Sequence, residues 1–261
     1  MNAWSDKTTW GGEFAPTEME TVYIPPGLNL LVDVDKTEML NAIIVEGSLI
    51  FAPHTDKNHH RYFDAHYIFV RNGTMEVGTE EHPYDSKITI TMHSQLADPY
   101  LPIYGNKVIG CRFCTLDLHG PKRTPEWTVL DSTAEAEATT ITLHKPVDWK
   151  QGELIGIAST SYNGRHAEKR TIKAIDNTNP EKPVITLDKA LEYKHFAMTQ
   201  TFGTETMDMR AEVGLLSRNV RIRGDPETSG MNQYGATIFL HSQGDDSLIA
   251  RLENIEMTNM G

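Results

Sequence analysis

Three stretches of the chain can be laid over one another: LNAIIVEGSLIFAP (40–53), HYIFVRNGTMEVGT (66–79) and NKVIGCRFCTLDLHG (106–120). Each reads as an alternating apolar strand, a tight polar or glycine corner, then a second alternating strand. The inward positions under this reading are Ile44 with Leu49, Ile68 and Val70 with Met75 and Val77, and Val108 with Leu116 and Leu118. One such unit cannot bury that face by itself, so copies must stack, and the corner needs Gly47, Gly73 or another residue tolerant of positive φ. The pattern predicts an all-β chain built as a β-solenoid. A sandwich of hairpins is the competing layout, because Asn72-Gly73 is also a strong hairpin-turn signal. Two later stretches, RNVRIRGD (218–225) and ATIFLHS followed by ARLENIEMTNMG (236–261), read as weaker copies.

Residues 139–193 read differently. TTITL, ELIGIAS, KRTIKAI and PVITLDKAL are four short strands joined by turn-rich segments, a compact meander suited to a small barrel-like subdomain. The expected division is therefore 1–126 and 201–261 for the stacked coils and 127–200 for the subdomain. The only helical expectations are short ones around TAEAEA (133–138) or MDMRAEVGLL (207–216). Trp4 and Trp10 are expected to cover the open end of the stack, since solenoid ends must be shielded.

Charge narrows the partners. Lys and Arg number 24 against 36 Asp and Glu, a formal charge of −12 spread along the chain. Nucleic acid needs a basic surface that this balance does not supply. A polyanionic glycan meets the same long-range repulsion, so it would need a local basic groove or a bridging cation. No stretch approaches the roughly 20 apolar residues of a membrane helix, and the opening MNAWSDKTTW lacks the features of an export signal.

Many ordered motifs carry a family likeness: WSDKTTWGGEFAP, IPPGLNLLVDVD, GSLIF, YIFVRNGTMEVGTEEHPY, ITITMH, IYGNKVIG and TLDLHG, then WTVLDSTAEA, VDWKQGELIGIASTSY, AEKRTI, LEYKHF, MRAEVGLLSRNVRIRGD and IEMTNMG. Together they resemble the eight-glycine (G-eight) domain found in fibrocystin, fibrocystin-L, transmembrane protein 2 and the cell-migration-inducing hyaluronan-binding protein, over essentially the whole chain. The resemblance implies a right-handed parallel β-helix on a secreted protein or ectodomain, continuing in a longer chain past NMG at 259–261. It implies partners of glycan (hyaluronan-like) or extracellular-protein type, with no membrane contact by these residues themselves. Two departures stand out: LHGPKRTPEWTVL runs straight on where hyaluronan-degrading members carry an inserted domain, and their downstream His-rich coils lie beyond Gly261.

The densest set of ligand-type residues is PHTDKNHHRYFDAHY, with His54, Asp56, His59, His60, Asp64 and His66. Imidazoles and carboxylates such as His59, His60, Asp64 and His66 can hold a divalent ion, calcium or zinc. A solvated loop is the plainer reading. Cys111 and Cys114, the only cysteines, are spaced for a local disulfide at a corner, for packed free thiols, or for a half-site completed by His119. For glycan hydrolysis, two carboxyl groups must flank a bond, and Asp117, Asp208 and Glu212 are the candidates. The alternative for Asp208, Arg210 and Glu212 is a structural ion-pair network. Arg210, Arg165, His166 and Arg170 are candidate contacts to an anionic ligand, Tyr162 and Lys173 lying in the same stretch, against the alternative of a solvated strand face. Asn72-Gly73-Thr74 is the one N-glycosylation sequon.

Overall fold

The computed structural model describes residues 1–261, which separate into two units: Met1–Pro121 with Arg218–Gly261, and Lys122–Ser217. The chain is all-β apart from two short 3₁₀ turns and one α-helix, Pro226–Asn232. Neither helical expectation is met. The 207–216 stretch forms strand Glu212–Leu215 and the end of strand Glu205–Asp208, while 133–138 is irregular. The helix that does form starts where Pro226 follows Asp225, whose carboxylate accepts from the amides of Glu227 and Thr228.

In the first unit every pairing between strands is parallel. One ladder runs Asn2–Ala3, Asn29–Val32, Ser48–Phe51, Thr74–Val77, Thr115–His119, Ile249–Glu253. Its register aligns Leu30, Leu49, Met75 and Leu116 in one buried column. A second ladder runs Thr21–Ile24, Leu40–Val45, His60–Arg71, Lys87–Met92, Val220–Gly224, Ile255–Thr258. The long strand His60–Arg71 pairs with Lys87–Met92 along its first half and with Val108–Arg112 along its second; Val108–Arg112 then pairs with Thr237–His241. Asn72-Gly73 is a corner between the two ladders rather than a hairpin turn, since Arg71 and Thr74 lie in different sheets.

The inward columns correct two expectations. Ile43 and Val45 are buried and Ile44 is not; NAIIV is apolar at consecutive positions, so alternation alone left its phase open by one residue, which exchanges the two faces. Val108 is buried, but with Tyr67 and Tyr104 in a separate cluster, while Ile109 and Cys111 enter the main core. Each fully buried Leu or Ile in these columns contributes up to about 1.5–3 kcal/mol. Trp4 is also buried in that core, edge-on to Trp10 and Phe63 at 5.1 and 6.0 Å, and the Trp10 indole donates to the Trp4 carbonyl.

The corners work by close approach rather than by positive φ at glycine. A Cβ on Gly47 would lie 2.5 Å from the Pro25 carbonyl oxygen, and one on Gly73 would lie 2.6 Å from that of Gly47. The amide of Thr74 donates to Gly47, that of Thr115 to Gly73 and that of Ile249 to Cys114, so three corners stack. Positive φ falls one residue earlier, at Asn72 (55°) and Phe113 (50°). Cys111 and Cys114 are joined by a disulfide across the Phe113 corner, their Cα atoms 5.8 Å apart.

The second unit is antiparallel. Its strands run in the order Trp127–Val129, Glu212–Leu215, Leu154–Ile157, Glu168–Asp176, Val184–Leu187, Thr140–Thr142. The two end strands are linked by a bridge between Leu130 and Leu143. A hairpin, Thr199–Phe202 with Glu205–Asp208, is exposed along its whole length. Residues 201–217, expected among the coils, thus belong to this unit.

Candidate functional site

Register brings polar residues into rows on the outward face of the second ladder. Tyr62, Thr89, Arg221 and Glu256 are successive partners, as are Asp64, Thr91, Arg223 and Thr258. Just past the end of Lys87–Met92, His93 lies between two carboxylates, with Nε2 3.0 Å from Asp64 and Nδ1 3.1 Å from Asp225. Asp225 is the helix cap, and although burial opposes its charge, the Thr228 amide and hydroxyl and His93 hold its carboxyl below the usual range. A cleft of about 360 Å³ opens here, lined by Lys36, Tyr62, Asp64, His93, Arg223 and Glu227 among others.

The ligand-type residues around this face do not converge on one point. His59 meets Asp35 at 2.8 Å and its ring stacks on His54; His60 meets Thr89 at 2.8 Å; Asp64 meets His93; His66 meets Asp98 at 3.4 Å. Asp56 instead closes its own turn with Asn58. No group of three or more His, Cys, Asp or Glu side chains is arranged to hold a metal ion. The cause is strand geometry. His60, Asp64 and His66 project from alternate positions of one extended strand, where like-facing neighbours are roughly 7 Å apart, and each finds a partner on an adjoining segment instead. Burial, with help from Arg221, Lys87 and Arg223, pushes His60 down to about 4, so it is a neutral ring at neutral pH. Burial also lowers His66, partly offset by Asp98.

On the first ladder the outward row is Ile50, Glu76, Asp117, Arg251. Arg251 donates to both oxygens of Asp117 at 3.0 and 3.2 Å. Burial and then the charge of Asp117 push the Glu76 carboxyl up. His119 is buried beside them, 3.6 Å from Asp117 and 3.7 Å from Glu253, with Nδ1 lacking a hydrogen bond.

Asp208 and Glu212 lie in the other unit from Asp117. Asp208 is held by Arg210 at 2.5 and 2.9 Å, which brings its carboxyl down to about 2, and Glu212 is exposed. Arg170, a candidate ligand contact, is instead buried against Glu168, donating to it and to the Ala190 carbonyl. Glu168 also accepts from the amides of Glu192 and Tyr193 and contacts the fully buried His195; burial resists its charge, but these partners keep its carboxyl below the usual range. His166 stacks on Tyr193 at 3.9 Å and meets Ser161 at 2.8 Å, and Arg165 is exposed. Asn72 is exposed at its corner.

Residues 9–131 match the family model of the G8 domain. The chain contains a G8 domain. Along its full length it is 36% identical to human fibrocystin-L and 33% identical to mouse fibrocystin-L. It is 28% identical to mouse fibrocystin over 99% of the chain. It spans only 7% of either fibrocystin-L and 6% of that fibrocystin. The G8 match contains Tyr62, Asp64, His93, Glu76 and Asp117, whereas Arg223, Asp225 and Arg251 come from segments beyond it. The outward rows on both ladders are therefore completed by residues more than 85 positions past its end.

Sequence reasoning missed Glu76, His93, Arg223 and Asp225. Glu76 was within reach, because laying TMEV over TLDL puts it opposite Asp117. Nothing local marks Arg223 and Asp225 as neighbours of Asp64; only the pairing of distant strands does. No helix is long and apolar enough to cross a membrane.

Proposed function

We propose that the chain is an extracellular structural and adhesive module, part of a larger fibrocystin-like ectodomain, that presents a stiff polar face to a glycan or an extracellular protein. In this reading the parallel ladders are coils of a right-handed β-helix, and the antiparallel unit is a small barrel-like subdomain placed in sequence between two coils. The observation that carries it is the register that lines polar residues up across four successive strands, Thr89 and Thr91 buried within the rows and Tyr62, Asp64, Arg221 and Arg223 reaching the surface around them. Such a face needs no large motion to meet an extended ligand, so little ordering cost opposes binding. The Cys111–Cys114 disulfide fits an oxidising compartment, and Asn72 would be an accessible glycan acceptor. The test is binding of the chain to size-defined hyaluronan and chondroitin and to extracellular-matrix protein fractions, with and without chelator. Retention on one of these that survives chelator is expected; retention on none would end the adhesive reading.

A second reading, a hydrolase that depolymerises hyaluronan or a related glycan, is supported by Glu76 over Asp117. The Glu76 carboxyl, raised by burial and by the charge of Asp117, sits directly opposite Asp117 on the neighbouring strand, and strands lie roughly 4.8 Å apart, so two carboxyl groups stand side by side as a glycosidase requires. Shortening of hyaluronan by the chain, lost in both Glu76→Gln and Asp117→Asn, would establish this role over a purely adhesive one.

A further inference from the structure

We propose that the cleft beside His93 is a saccharide subsite, with Tyr62 as the platform for a sugar ring and Asp64 and Arg223 as the contacts to its hydroxyl groups. This rests on the adhesive reading and gives it a location. Tyr62 is 39% exposed, and the ring of His60 stacks on its ring at 4.4 Å. His60 is itself anchored on Thr89 at 2.8 Å. The platform is thus fixed before a ligand arrives, and a rigid aromatic face with a polar surround is what the apolar face of a pyranose requires.

The polar groups around it are divided by type. Arg223 spends its Nε on Thr91 at 3.2 Å, and its terminal amino groups make no hydrogen bond or ion pair within the chain; nor does the Lys36 ammonium. Asp64 uses one oxygen on His93 and leaves the other without a partner, and the Glu227 carboxylate is likewise unpartnered. Donors and acceptors left over in one small cleft suit vicinal hydroxyls, each of which donates and accepts. His93, held from behind by the capping carboxylate of Asp225, keeps Asp64 in place without covering it. Apart from Tyr62 and Pro226 the lining residues all carry polar or charged groups at their tips.

The experiment is calorimetric titration of the whole chain with chitohexaose, mannohexaose and hyaluronan hexasaccharide, repeated with Y62A, Y62F, R223Q and K189A. Lys189 is an exposed residue of the antiparallel unit and serves as the control. At least one hexasaccharide should bind, with Y62A and R223Q each weakening it about tenfold and Y62F and K189A leaving it unchanged. Melting curves of Y62A and R223Q report whether the fold is intact. Affinity unchanged in Y62A and R223Q would overturn the cleft while the adhesive reading stands. Failure of all three sugars to bind at about 1 mM would overturn the cleft and leave the adhesive reading to its protein partners.

Discussion

The two units solve the same problem, burying one face of many short strands, by opposite means. The parallel unit repeats itself: columns such as Leu30, Leu49, Met75 and Leu116 place like on like, and backbone meets backbone at the glycine corners. The antiparallel unit has no repeat, and beside its apolar core it ties Glu168, Arg170 and His195 into one buried network, whereas the buried Arg61 and Lys107 of the parallel unit are held separately, on the Ala52 carbonyl and on Ser229 and the Tyr234 carbonyl. Repetition tolerates change along a column but not at a corner. A buried charged knot concentrates its sensitivity in its own few residues.

That contrast can be broken or sharpened by measurement. The largest effect is expected for Gly73→Val and Gly47→Val, where side-chain atoms would occupy the space of carbonyl oxygens; each should cost about 3 kcal/mol or more and abolish the cooperative transition of the parallel unit. A normal melt for either would show that the corners do not depend on close approach. Next, Glu168→Gln should cost about 3 kcal/mol by leaving Arg170 and His195 buried without their anion. Amide spectra should then change in the antiparallel unit and not in strands such as Ser48–Phe51.

Removing the disulfide with Cys111→Ala and Cys114→Ala closes no long loop, so the loss should be about 2 kcal/mol or less, read as a small drop in melting temperature. Smaller still is the acid response of the parallel unit. His60 titrates near 4 when folded and at its ordinary 6.5 when unfolded, so between these values the unfolded chain binds the extra proton. Stability therefore falls as pH drops through that window. For a half-exposed ring the loss is discounted to ~1–2 kcal/mol. His60→Gln should flatten denaturant midpoints between pH 6.5 and 4; an unchanged slope would mean that other groups carry the response.

How far the sequence could be read follows from how local each signal is. Alternation in HYIFV and TMEV is local and strict, so Ile68, Val70, Met75 and Val77 face the core as the pattern requires. NAIIV has no strict alternation, and its phase is settled by Val22 and Ile68 in neighbouring strands. The six ligand-type residues at 54–66 are dense in sequence, yet an extended strand draws His60, Asp64 and His66 apart, and the partners Asp35, Thr89, His93 and Asp98 come from other segments. The cleft was hidden for the same reason. Tyr62 and Asp64 acquire Arg223 and Asp225 only because Val220–Gly224 pairs with Lys87–Met92, across the entire antiparallel unit in sequence.

The twelve-residue strand His60–Arg71 offers one edge to two strands set end to end. It acts as a junction from which two lines of strands diverge, and both take their alignment from it. An error of one residue there would not be absorbed at a neighbouring level but copied down each branch, displacing the hydrophobic interior and the exterior chemistry at once. Insertions should be borne in the exposed loops of the parallel unit well before they are borne here.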